Sequence, residues 1–214
     1  LHRFDATKVV LKVIGSKPIP IVANLGPTTD ELWHAGDRPR NFYTWGSMGL
    51  CSSMALGMAL STEEQVVSLD GDGSLLMNLG AFSTIAREKP KNLIVIVWDN
   101  EEWGQTGHQP SHTAFGTDLA KVAAGCGIPH TATVSSEEQL ETTFRQSLRT
   151  PGPWVIVAKI KETEHLPYAP IEPEMVLHRF RATFPRAKTN PLTEPWIRPN
   201  DARKKNSAKA KSKK

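Results

Sequence analysis

Two apolar runs limit the fold of this chain more than anything else in it. "NLIVIVWDN" (92–100) and "PWVIVAKI" (153–160) are nearly unbroken hydrophobic segments rich in Val and Ile. Both are far shorter than the roughly 20 residues a membrane helix needs. Runs of this length and composition are strands covered on both faces, as in a parallel sheet. Their neighbours alternate in type. "EQVVSLD" (64–70) reads as a strand and "LLMNLGAFSTIAREK" (75–89) as a helix. "GTDLAKVAAGCG" (116–127) is a helix, "HTATV" (130–134) a strand, and "SSEEQLETTFRQSLRT" (135–150) a helix with a capping-box start. Upstream, residues 3–14 read as a helix, "PIPIVANLG" (18–26) as a strand, and "GSMGLCSSMALGMALS" (46–61) as a helix of small residues. This alternation predicts an α/β fold with a doubly wound, mostly parallel sheet flanked by helices. Such sheets bind ligands at the carboxyl ends of their strands.

A Pro-rich link (165–175) leads to a last helix near 174–183, and from Pro185 onward periodicity is lost. Residues 1–184 are therefore expected to form the domain and 185–214 a disordered tail. The tail also explains the charge. Residues 201–214 hold seven Lys or Arg and one Asp, a local +6, whereas the whole chain carries +4, so the other 200 residues carry −2. The body is not a basic nucleic-acid binder. Cys51 and Cys126 provide neither a disulfide framework nor a metal cluster. With no signal-peptide pattern at the start, a cytoplasmic location is expected.

Polar residues gather where the predicted strands end. The first strand ends in "NLGPTT" (24–29), the second in "DGDGS" (70–74), the third in "WDNEEWGQTG" (98–107). Gly71-Asp72-Gly73 sits on a strand-to-helix turn, where glycines permit close approach and free N–H groups favour phosphate. Asp72 alone would repel phosphate. A Mg²⁺ ion between them resolves the conflict, since Mg²⁺ binds through one or two protein oxygens plus ligand phosphates. Asn100, one strand–helix–strand crossover later, supplies a second oxygen.

Gly71-Asp72-Gly73, then 25 residues, then Asp99-Asn100 resembles the motif of thiamine-diphosphate-dependent enzymes, with Asp99 where the first of two Asn is usual. "FYTWGSMGLCSSMALGMAL", "DGDGSLLMNLGAFSTI" and "DNEEWGQTGHQPSHTAFGTDLAKVAAGCGI" are similar to the sulfopyruvate decarboxylase β-subunit and phosphonopyruvate decarboxylase family, over roughly residues 18–160. The resemblance implies that Asp72, the Asn100 side-chain oxygen and the Glu102 backbone carbonyl bind Mg²⁺. It implies that Gly71, Gly73, Ser74 and Thr28 lie at the diphosphate. Gly46, in "GSMG" with Ser47, would accept from the aminopyrimidine, and Met48 would wedge the cofactor into its bent form. Gln105 and Thr106 would lie on a covering loop with His108 beside it, where the family pattern leads one to expect a residue such as Asn. Met48, Thr106 and His108 are the catalytic candidates.

The family implies non-oxidative decarboxylation of a 2-oxo acid, sulfopyruvate first and phosphonopyruvate second. It also implies an activating Glu from a pyrimidine-binding domain across a subunit interface. About 17 residues precede the first matching strand. The chain is therefore expected to work with a separate α subunit. Three alternatives stand beside this. A carboligase shares the chemistry. A 2-oxoacid:ferredoxin oxidoreductase subunit usually brings extra cysteines, whereas two cysteines 75 positions apart cannot hold a cluster by themselves. A non-catalytic cofactor-binding subunit is the third.

Overall fold

A computed structural model describes residues 1–161, 166–170 and 172–184. Its main strands are β1 (Ile21–Ala23), β2 (Asn41–Tyr43), β3 (Val66–Gly71), β4 (Leu93–Asp99), β7 (His130–Val134) and β8 (Trp154–Lys159). Two short strands, β5 (Glu102–Trp103) and β6 (Gln109–Pro110), form a separate antiparallel hairpin. The helices are α1 (Arg3–Ile14), α2 (Pro27–Gly36), α3 (Cys51–Ser61), α4 (Asp72–Leu76), α5 (Gly80–Glu88), α6 (Leu119–Gly125), α7 (Glu137–Ser147) and α8 (Pro173–Ala182). The sheet order is β2-β1-β3-β4-β8-β7, and every pairing is parallel. Among the described residues no helix is long and apolar enough to cross a membrane.

Alternate residues of each strand point to opposite faces, and here both faces are covered. Ile21, Leu69 and Ile96 pack with Val10 of α1 and Leu140 of α7. Val22, Val95 and Val155 pack on the other side with Ala55 of α3, Phe82 of α5 and Ala123 of α6. All seven residues of β4 are buried, which is why its sequence shows no polar alternation.

The structure departs from the sequence reading in places that shape the site. The expected strand 18–26 is reduced to Ile21–Ala23, because Pro27 opens α2, a position where the missing N–H costs nothing. Neither α2 nor β2 is expected from the sequence. The expected helix 46–61 starts only at Cys51. Gly46 (φ 74°) and Gly49 (φ 79°) are left-handed, so "GSMG" is an irregular turn that glycine makes possible. The expected helix 75–89 is two helices. α4 begins at Asp72, and the Met77 N–H bonds back to the Ser74 carbonyl at 3.1 Å, tightening its last turn. The Asn78 amide then donates to the Gly49 carbonyl at 2.9 Å, tying the break to the glycine turn. α7 matches its predicted start, with Ser136 accepting from the Gln139 N–H. The Lys-rich tail lies outside the described residues.

Candidate cofactor site

β3 and β4 pair in register, with Gly71 opposite Trp98. Asp72 and Asn100 follow those strand ends and emerge into one cleft at the carboxyl edge of the sheet. The cleft wall also contains Thr28 of α2, Met48 of the glycine turn, Gly71, Gly73 and Ser74, and Glu102, Gln105 and Thr106 of the hairpin. Residues from four separate segments, chosen on sequence, therefore meet. Gly46, Ser47 and His108 are not in this wall. Gly46 is exposed. His108 is half-exposed, has φ +59°, and places Nδ1 2.8 Å from Glu102 Oε2.

Asp72 is almost fully buried at 2% exposure. Its Oδ2 accepts from Ser111 Oγ at 2.6 Å and from Thr113 Oγ1 at 3.1 Å. Burial, followed by the charge of Asp99, pushes its carboxyl up to about 6, and hydrogen bonds from Ser111, the Gly73 backbone and Thr113 only partly oppose this. An ionised Asp72 thus lacks compensating positive charge. Asn100 adds an amide oxygen, held by a 3.3 Å bond from the Glu102 N–H. Among the described residues no three His, Cys, Asp or Glu side chains cluster as a metal site. The donor set is one carboxylate and one amide oxygen. That suits a hard divalent cation whose other ligands come from a diphosphate and water.

Asp99 has a separate partner. It lies opposite Lys159 in the β4–β8 register, with Lys159 Nζ 2.7 Å from Asp99 Oδ2. Burial lowers the Lys159 pKa, but its bonds to Asp99 and Glu101 outweigh that and raise it overall. The acidic substitution in the motif is neutralised within the sheet.

Two close packings shape the wall. A Cβ on Gly73 would lie 2.8 Å from Trp103 Cε3, and one on Gly26 would lie 2.5 Å from Gln105 Nε2. Gly73 is helical, so its requirement is the approach of the indole and not an unusual φ. Gly73→Ala should displace the β5–β6 hairpin and cost about 1–3 kcal/mol of stability. Urea denaturation measures this, and an unchanged midpoint and slope would show that Trp103 yields freely. The Ser74 hydroxyl is already committed, accepting from the Gly49 N–H at 2.9 Å and bonding to Asp70. Any ligand contact by Ser74 runs through its backbone.

Sequence reasoning missed Ser111, Thr113 and Arg3. Arg3 of α1 is the one cation in the cleft wall among the described residues. It is 7% exposed and forms a two-pronged pair with Glu31 of α2, at 3.0 and 2.9 Å. No signal marks Arg3 as a site residue, since on α1 it reads as a polar helix start.

Comparison with known proteins identifies the family. The family described as thiamine pyrophosphate enzyme, C-terminal TPP binding domain, matches residues 27–158. The chain is 43% identical over 186 residues to the sulfopyruvate decarboxylase subunit beta of Methanocaldococcus jannaschii, covering 86% of this chain and 98% of that protein. It is 36% identical over 186 residues to the phosphonopyruvate decarboxylase of Streptomyces hygroscopicus, covering 82% of this chain but only 42% of that longer one. The fold matches that of the thiamine diphosphate-dependent 4-hydroxybenzoylformate decarboxylase of Rhodococcus jostii RHA1, with a TM-score of 0.65 at 20% identity over 77% of this chain and 33% of that one. The parallel sheet, the cleft that joins Asp72 to Asn100, and these matches place the chain in the thiamine pyrophosphate enzyme family, as a carrier of its C-terminal TPP-binding domain.

Proposed function

We propose that this chain is the β-type subunit of a thiamine-diphosphate- and Mg²⁺-dependent decarboxylase acting on a 2-oxo acid with an anionic head group, sulfopyruvate or phosphonopyruvate. The observation that carries the reading is 43% identity over nearly the whole of a sulfopyruvate decarboxylase β subunit. Asp72, the Asn100 side-chain oxygen and the Glu102 carbonyl would hold Mg²⁺. Thr28 and the backbone of Gly71, Gly73 and Ser74 would face the diphosphate, and Met48 would support the cofactor from the glycine turn. When bound, the cofactor supplies the electron sink for loss of CO₂. In the overall change the bond between the keto carbon and the carboxylate breaks, one proton is taken up, and an aldehyde and CO₂ leave.

The chain's own residues orient and enclose. Trp103 packed on Gly73, and Gln105 packed on Gly26, would form the wall that faces the cofactor. Arg3 is held by Glu31, so this wall offers little net positive charge to a sulfonate or phosphonate. Head-group recognition is assigned to the partner's side. The partner reading has two supports: a relative named as a subunit is spanned almost completely, whereas only 42% of a longer relative not named as a subunit is spanned. The partner is taken to carry the pyrimidine-binding domain and the activating Glu.

The test offers sulfopyruvate, phosphonopyruvate and pyruvate in parallel to the chain combined with its partner subunit, and measures aldehyde release. One of the two head-group acids should be preferred by at least about tenfold in kcat/KM, which is about 1.4 kcal/mol of discrimination. Equal turnover of all three, or acetolactate as the product from pyruvate, would overturn the reading.

A further inference from the structure

We propose that Thr113, together with Ser111, is a positioning residue for the metal-binding carboxylate: the two hydroxyls hold Asp72 Oδ2 against the protein, leaving Oδ1 as the oxygen offered to the cleft. The inference rests on the reading of Asp72 as the Mg²⁺ ligand. Its starting point is a torsional fact. The terminal torsion of an Asp side chain is broad and roughly two-fold, so hydrogen bonds set the orientation of the carboxylate plane. Both side-chain hydrogen bonds to Asp72 fall on the same oxygen, from Ser111 at 2.6 Å and Thr113 at 3.1 Å. Among the described residues, no side-chain hydrogen bond to Oδ1 is found.

The two hydroxyls are themselves fixed. Ser111 is fully buried and Thr113 nearly so. Ser111 caps a short 3₁₀ turn, His112–Phe115, accepting from the Thr113 N–H at 3.3 Å. The Ser111 and Thr113 hydroxyl oxygens lie 2.8 Å apart. Thr113 Oγ1 also lies 2.8 Å from Asp99 Oδ1, so its single proton is shared between the carboxylates of both halves of the motif, and Ser111 is the closer donor to Asp72. Asp99 is anchored from behind by Lys159 at 2.7 Å and receives the Glu101 N–H at 3.2 Å. The acid at position 99 therefore faces inward, toward Lys159 and Thr113, and the arrangement leaves Asp72 as the carboxylate that meets the cation. Such outer partners typically change metal affinity 10–100-fold when removed.

The test titrates Mg²⁺ calorimetrically into the chain combined with its partner subunit, in the presence of thiamine diphosphate. Thr113→Val keeps the branched shape but removes the hydroxyl, and should weaken Mg²⁺ about 10–100-fold. Thr113→Ser restores the hydroxyl and should return affinity close to that of the wild type. A role in packing alone would give the opposite order, since Val is nearer in shape than Ser. Ser111→Ala should weaken Mg²⁺ in the same direction, and it serves as the probe if Thr113→Val does not fold. Wild-type Mg²⁺ affinity in folded Thr113→Val, or equal weakening by Val and Ser, overturns the inference. A wild-type assembly that shows no Mg²⁺-dependent cofactor binding overturns the metal-site reading itself, and this inference with it. A wild type that binds alongside a valine variant that binds equally well removes the positioning role alone.

Discussion

Asp72→Asn is expected to make the metal-free protein more stable while removing Mg²⁺-dependent binding of thiamine diphosphate. The two effects have one cause. The Asp72 carboxyl titrates at about 6 in the folded chain against 3.8 for an ordinary Asp, chiefly because it is buried. A folded value above the unfolded one means that ionisation opposes folding. Below about pH 4 the group is protonated in both states and contributes nothing. Between about pH 4 and 6 the unfolded chain releases its proton more readily, so stability falls as pH rises. Above that the penalty is constant, on the order of 3 kcal/mol. Asn does not ionise, so urea denaturation at about pH 7 should find the variant more stable by about 2–3 kcal/mol, with the difference vanishing near pH 4. The same lost charge should weaken Mg²⁺-dependent cofactor binding about 100-fold or more, since no other described side chain takes over the carboxylate's place. Near-normal cofactor affinity would remove Asp72 from the site. Equal stability of variant and wild type at both pH values would show that the buried carboxylate is already neutralised.

Separated from its partner, the chain should decarboxylate at no more than about 1% of the rate of the assembled enzyme. The proposed partner brings the carboxylic acid that activates the cofactor, and a positioned acid or base typically contributes 10²–10⁴-fold. Cofactor binding should weaken as well, because a ligand held between two subunits binds the assembly better than either part. Steady-state aldehyde release measured for the chain alone, for the partner alone and for the mixture tests this directly, with circular dichroism confirming that the isolated chain is folded. Ordinary enzymic turnover by the chain alone would overturn the two-subunit reading. The activating acid would then have to be sought on this chain, where Glu102 lies in the cleft wall and Glu101 directly precedes it.

Legibility in the sequence followed the range of the forces involved. β3, β4 and β8 were readable because strands buried on both faces become continuous Val/Ile runs, which no other local structure explains as well. α2 and β2 were not. "PTTDELWHAG" opens with Pro-Thr-Thr and has little apolar periodicity, and a three-residue edge strand is too short to show a pattern. The helix predicted over 46–61 lost its first turn to Gly46 and Gly49, whose φ values are left-handed.

The site divides in the same way. Asp72 and Asn100 could be proposed as a pair from the chain alone, because strands joined by one crossover can be neighbours in a parallel sheet, as β3 and β4 are here. Ser111 and Thr113 could not be paired with Asp72, which lies 39 and 41 positions away. Nor could Arg3 be placed in a wall built from residues 24–106. Local hydrophobic pattern and strand order thus determined the parallel sheet and the edge where the cofactor residues gather. Tertiary packing alone decided how those residues are held. It folded the segment after Asn100 back over the strand ends, turned Asp72 Oδ2 toward two buried hydroxyls, and matched Asp99 to Lys159. Such hydrogen bonds and charge pairs form between groups that meet only once the sheet has brought distant stretches of chain within 3 Å of each other.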